Sequence, residues 1–84
     1  MKIILNLKQA QTPMEAQEYL KRALAFPDYY GKNLDALYDM LTAWDQPVSF
    51  VLRLPEGGDM GAYAQKLRRV FEDAAAENKR ISVL

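Results

Sequence analysis

The stretch FPDYYGKNLDALYDMLTAW, Phe26 to Trp44, decides how the rest of the chain is read. Pro27 stops whatever precedes it, and Asp28 to Lys32 form a polar loop in which Gly31 relaxes the backbone. Asn33 is a good N-cap, and the run from Leu34 to Ala43 contains neither Gly nor Pro, so a helix follows. At about 100° per residue, Leu34, Leu37 and Leu41 gather into one apolar wedge, which Met40 widens on the side away from the acids. Asp35, Tyr38, Asp39 and Thr42 fall on a neighbouring arc. One stripe of this helix is made for a core and the other for something else.

Working outward, the flanks alternate between strand and helix patterns. Lys2 to Leu7, KIILNL, is a short, nearly continuous apolar run, as a strand covered on both faces would be. Thr12-Pro13-Met14-Glu15 combines an N-cap, a proline suited to the first helical position and an acid able to complete a capping box. Ala16, Tyr19, Leu20, Ala23 and Leu24 then repeat at helical spacing up to Pro27. Beyond the central helix, VSFVLRL from Val48 to Leu54 reads as the second strand. Pro55 to Gly61, PEGGDMG, reads as a loop with at most one loose turn. A third helix is expected from Ala62 to about Glu77, where Tyr63, Leu67, Val70, Phe71, Ala74 and Ala75 share a face. Asn78 to Arg80 turn the chain into a last strand, Ile81 to Leu84. This order predicts an α/β fold: one domain over residues 1–84, with a small three-stranded parallel sheet packed against one layer of three to four helices.

Composition narrows the chemistry. The 84 residues include no cysteine and no histidine, which removes thiolate nucleophiles, cysteine zinc sites and the commonest general base. No cofactor or metal is called for. Eleven basic and eleven acidic residues cancel, so overall charge gives no attraction to nucleic acid or to an anionic membrane. The amino-terminal run is too short and polar for a leader, and no segment is apolar enough to span a membrane, so a cytoplasmic location is expected.

Local charge is different. From Asp28 to Asp45, four acids (Asp28, Asp35, Asp39, Asp45) face one base (Lys32), a net −3 within a neutral chain. An acid on a helix usually marks a solvated face, and Asp35 fits that description because a first-turn acid suits the helix dipole. Asp39 does not: it is expected mid-helix, where Asp is a poor former, stands four residues from a like charge, and has no Lys or Arg at a helical neighbour. Two acids, a tyrosine and a threonine on one arc, flanked by Tyr29, Tyr30 and Trp44, make the ingredients of an interface around a negative centre. Tyr19, Tyr63, Phe50 and Phe71 lie on apolar faces and belong to the core, while Tyr30 suits core or interface equally. Other readings are weaker. Asp35 and Asp39 could form a catalytic carboxylate pair or hold magnesium, but no third ligand or neighbouring base accompanies them. Lys66, Arg68 and Arg69 could meet nucleic acid, yet three bases on one helix are usually a solvated face.

The run YYGKNLDALYDMLTAW closely resembles the signature of the barstar family, intracellular inhibitors of barnase-type secreted bacterial ribonucleases. The likeness extends more weakly to the opening strand, the first helix, PVSFVL and VFEDAAAENKRISVL. It implies a non-enzymatic protein, monomeric when free, that covers a ribonuclease active site and places carboxylate where substrate phosphate would bind. Asp39 matches the acid that enters the basic catalytic pocket and Asp35 its flanking partner. Tyr29, Asn33, Tyr38, Thr42 and Trp44 join the partner-binding set, and Asp73 matches a peripheral acid that is normally the longer glutamate. The chain departs from the family pattern in carrying Tyr38 where the best-known member has tryptophan, in its short glycine-rich 55–61 segment and in its neutrality. A barstar-like immunity or regulatory protein directed at another toxin or partner is the alternative.

Overall fold

A computed structural model describes residues 1–84. Its elements are β1 (Lys2–Asn6), α1 (Pro13–Ala23), α2 (Leu34–Thr42), β2 (Val48–Arg53), α3 (Gly58–Glu77) and β3 (Ile81–Val83). The three strands form one parallel sheet in the order β1-β2-β3, with Ile4 opposite Val51 and Phe50 opposite Val83. The fold is the α/β arrangement expected, with three helices. Because spatial order follows chain order, two crossovers of the same hand carry all helices to the same side of the sheet.

The strands show that one-sidedness. Leu5, Val48, Phe50, Leu52 and Ile81 are buried, whereas their neighbours point away from the helices. Ile4 is 50% exposed, so β1 is not the doubly covered strand its apolar run suggests. The run KIILNL simply carries one isoleucine on the bare face, opposite Val51.

Local sequence explains the helix ends. Thr12 Oγ1 accepts the Glu15 N–H at 3.1 Å, while Glu15 Oε1 accepts the Gln11 N–H at 2.9 Å. The reciprocal bond thus reaches one residue beyond the cap itself. α3 corrects the sequence reading at its start: it begins at Gly58, so Gly58 to Gly61 supply its first turn rather than a loop. Gly57 and Gly58 have φ of 70° and 63°, conformations in which a side chain would be strained. Met60, buried in the core, anchors that turn despite the poor helix propensity of its glycine neighbours.

Buried side chains from all three helices and all three strands join one cluster of 17 residues. Phe50, on the central strand, sits at its middle, with Phe71 edge-on at a centroid distance of 5.2 Å and Trp44 edge-on at 5.7 Å. Such aromatic pairs contribute about 0.5 to 1.5 kcal/mol each beyond the area they bury. One polar residue lies deep among them. Gln17 of α1, 1% exposed, accepts a hydrogen bond from the Tyr30 hydroxyl and donates Nε2–H to the Tyr63 hydroxyl at 2.8 Å. Both ends of its amide are therefore satisfied, which is the condition for tolerating it there. Tyr30 thus belongs to the core, stacked at a tilt on Phe26 with centroids 4.7 Å apart. Burial raises its hydroxyl pKa well above the ordinary tyrosine range, and the neighbouring Tyr63 adds to the shift.

Candidate functional site

The candidate site is built from the loop Pro27–Lys32 and the exposed stripe of α2. The loop is held from both sides. Tyr30 plugs into the core and its N–H donates to Pro27 O at 2.9 Å, so adjacent Tyr29 is turned outward, 82% exposed. Gly31 lies so close to α2 that a Cβ there would stand 3.2 Å from Ala36 Cβ and 3.3 Å from Asn33 Nδ2. Asn33 fastens the junction: Oδ1 accepts the Ala36 N–H at 2.7 Å, capping the helix, and Nδ2 donates to Gly31 O at 3.3 Å.

On α2, Leu37 and Leu41 are fully buried and Leu34, Met40 and Tyr38 partly so, while Asp35 and Asp39 are exposed. The two stripes expected from the sequence are present. Asp39 is not in the middle of the helix, as the sequence suggests, but near its end. Since α2 ends at Thr42 with no basic residue in its last turn, Asp39 stands in that last turn, next to the negative end of the helix dipole. A carboxylate there is unfavourable by about 0.3 to 1 kcal/mol. Neither Asp35 nor Asp39 takes part in an ion pair, the two pairs of the chain being Lys21–Asp28 at 3.5 Å and Arg69–Asp73 at 4.0 Å. Thr42, partly buried, directs its hydroxyl into the helix, donating to Asp39 O at 3.1 Å.

A chain with this sheet, this loop and this two-sided helix can be set against known proteins. The family described as Barstar (barnase inhibitor) matches residues 1–83. The chain belongs to the barstar family. A protein of Bacillus subtilis (strain 168) named "Putative ribonuclease inhibitor YrdF" is 41% identical over 81 residues, covering 93% of this chain and 89% of that protein.

In this barstar-family chain, six of the eight residues expected at the site (Tyr29, Asn33, Asp35, Tyr38, Asp39 and Thr42) lie on one continuous piece of loop and helix. Trp44 sits just beyond it and faces two ways. It is half-buried against Phe50, and its indole Nε1 is enclosed without a hydrogen-bond partner. Asp73 is on another element, exposed on α3, which packs along α2, and its nearest cation is Arg69 one turn earlier.

Two positioning residues escape a reading of the sequence. Asn78, at the C-cap of α3, is buried and donates Nδ2–H to Leu41 O at 3.0 Å, Trp44 O at 2.8 Å and Thr42 O at 3.3 Å. It thereby caps the end of α2 from 34 to 37 residues away. Gln17 does the same for the loop by holding Tyr30. Neither carries a local signal, because polar residues become legible as struts only when their distant partners are known.

Proposed function

We propose that this chain is an intracellular inhibitor that binds and blocks the active site of a secreted ribonuclease of the barnase type, protecting the cell that makes the enzyme. Family membership supports the inhibitor role, and the name of the Bacillus subtilis relative agrees with it. The observation that carries the site assignment is Asp39, an exposed carboxylate in the last turn of α2 with no cation of its own. A charge placed against helix dipole and like-charged neighbour alike is better accounted for by a partner than by the fold.

In this reading Asp39 enters the basic catalytic pocket and occupies the place of substrate phosphate. Arg, Lys or His donors there would make charge-assisted hydrogen bonds to it, stronger once water is excluded. Asp35, one turn earlier, adds a second negative charge, and Tyr29 and Tyr38 supply stiff contact area at little entropic cost. Asn33 and Thr42 form the polar ends of the face, and Trp44 and Asp73 its margin. The protein carries out no chemistry. No helix is long and apolar enough to cross a membrane.

The experiment is a titration of the protein into activity assays of several secreted bacterial ribonucleases, in parallel with Asp39→Ala. Inhibition at micromolar concentration or below is expected for the wild type, with loss of at least about 2 kcal/mol of binding, roughly 30-fold, for the variant. Absence of inhibition by the wild type rejects the function. Equal inhibition by both proteins keeps the function and rejects the site.

A further inference from the structure

The acidic stripe does not stand alone. Along its α3 side runs an open groove lined by the apolar Leu34, Ala62 and Val70 together with Asp35 from α2 and Lys66 and Arg69 from α3. Both cations are exposed. Lys66 has no acidic partner within ion-pair distance, and Arg69 has only Asp73, at 4.0 Å with both side chains largely in water. Pairs of that kind are weak and screened by salt. The two cations also sit three residues apart on α3, where like charges disfavour a helix. Apart from that exposed Arg69–Asp73 pair, nothing inside the chain uses them.

We propose that Lys66 and Arg69 are the cationic wall of the docking face, and that the ribonuclease this chain inhibits carries an acidic side chain beside its basic active-site pocket to meet them. The inference rests on the inhibitor reading above and adds the chemistry of the partner. A pocket basic enough to attract Asp39 would, if its surroundings were basic throughout, bring like charge against Lys66 and Arg69 when the face closes. Like charges brought together in this way reject a partner. An acid opposite Lys66 turns the same contact into a favourable one. The face then carries two signs of charge in a fixed order, Asp35 and Asp39 on α2 and Lys66 and Arg69 on α3, with Asp73 one turn beyond Arg69. That order defines a single orientation for the docked enzyme. It also gives a neutral chain a local charge asymmetry able to guide encounter without net charge.

The test exploits a difference in sign. Association rates are measured by stopped flow at low ionic strength, using whichever ribonuclease of the panel the wild type inhibits, for wild type, Lys66→Glu and Arg69→Glu. Attraction to a uniformly basic enzyme makes both variants faster, because each loses a repelling charge and gains an attracting one. The inference requires both to be slower, by about three- to tenfold, with the difference collapsing as salt rises. It further requires that an acid→Lys substitution beside the enzyme's pocket restore the rate of Lys66→Glu. Unchanged or faster association, or failure of every such substitution to restore it, overturns the proposal. Far-UV circular dichroism verifies that these surface variants are folded. A wild type that inhibits nothing removes the inhibitor reading and the inference together, whereas a wild type that inhibits while Lys66→Glu associates faster leaves the first standing and rejects the second.

Discussion

Replacing Asn78 by alanine should loosen the helix that carries Asp39 without touching the face itself. The Asn78 amide group has two hydrogens and serves three carbonyls, of Leu41, Thr42 and Trp44, at 3.0, 3.3 and 2.8 Å. One hydrogen is therefore shared, and about two net hydrogen bonds are lost with the side chain. Its Oδ1 also accepts the Arg80 N–H at 3.0 Å, but Arg80 is exposed and water can replace that bond. At roughly 1 kcal/mol per bond, with a further penalty for carbonyls left unpaired in a buried place, the loss comes to about 2 to 3 kcal/mol. For a chain of this length that is a fall in Tm of roughly 10 to 20 °C. Urea denaturation followed by the fluorescence of Trp44, the only tryptophan, measures it directly. Asn78→Asp sharpens the case: it keeps the acceptor for Arg80 but points a carboxylate at three carbonyl oxygens, so it should be less stable than the alanine variant. An alanine variant within 1 kcal/mol of wild type, taken as about the value of one hydrogen bond, or an aspartate variant more stable than the alanine one, would refute the capping role.

Two further outcomes follow from the geometry. Asp39→Ala should stabilise the free protein by about 1 kcal/mol, because it removes a carboxylate opposed by the helix dipole and by Asp35 and introduces a better helix former; thermal melts that show a loss instead would mean that Asp39 has a structural partner. Tyr30 gives a pH dependence at the alkaline end. Its folded pKa lies above the ordinary value of 10.0, so the unfolded chain releases that proton first, and the contribution is intact below about pH 10 and lost as pH rises beyond it. Between pH 9 and 11 wild type should lose about 1.4 kcal/mol more than Tyr30→Phe in urea midpoints converted to free energy, and parallel curves for the two proteins would contradict the burial argument.

The outline of the fold was open to reading because local pattern and tertiary role agree over most of the chain. Leu34, Leu37 and Leu41 repeat at helical spacing and are the residues that α2 turns inward. Val48, Phe50 and Leu52 alternate and face the helices. Disagreement arises where burial overrides propensity. Gly58 and Gly61 argue for a loop, yet Met60 reaches the core and draws its neighbours into α3. It arises again where an apolar run hides a direction: nothing in KIILNL says that Ile4 lies on the uncovered side. At the site, the acidic stripe and the outward Tyr29 were legible because α2 and its loop are contiguous. The supports were not, since Gln17 meets Tyr63 46 residues away and Asn78 meets Leu41 37 residues away. The groove shared by Asp35, Lys66 and Arg69 is likewise a product of packing between two helices, which one-dimensional spacing does not report.

The Asn78 cap has a kinetic side. The end of α2 depends on a side chain supplied by the C-cap of α3, so the helix bearing the acids is not completed by its own nine residues. Short helices are marginal in isolation, and closing a loop of this length is an entropic cost recovered only when the distant contacts form. The fixed spacing of the acids therefore rests on a contact made across the chain, by the residue that ends α3. A half-folded chain would display the same carboxylates in no particular arrangement, and capture of an enzyme would begin only with the finished molecule.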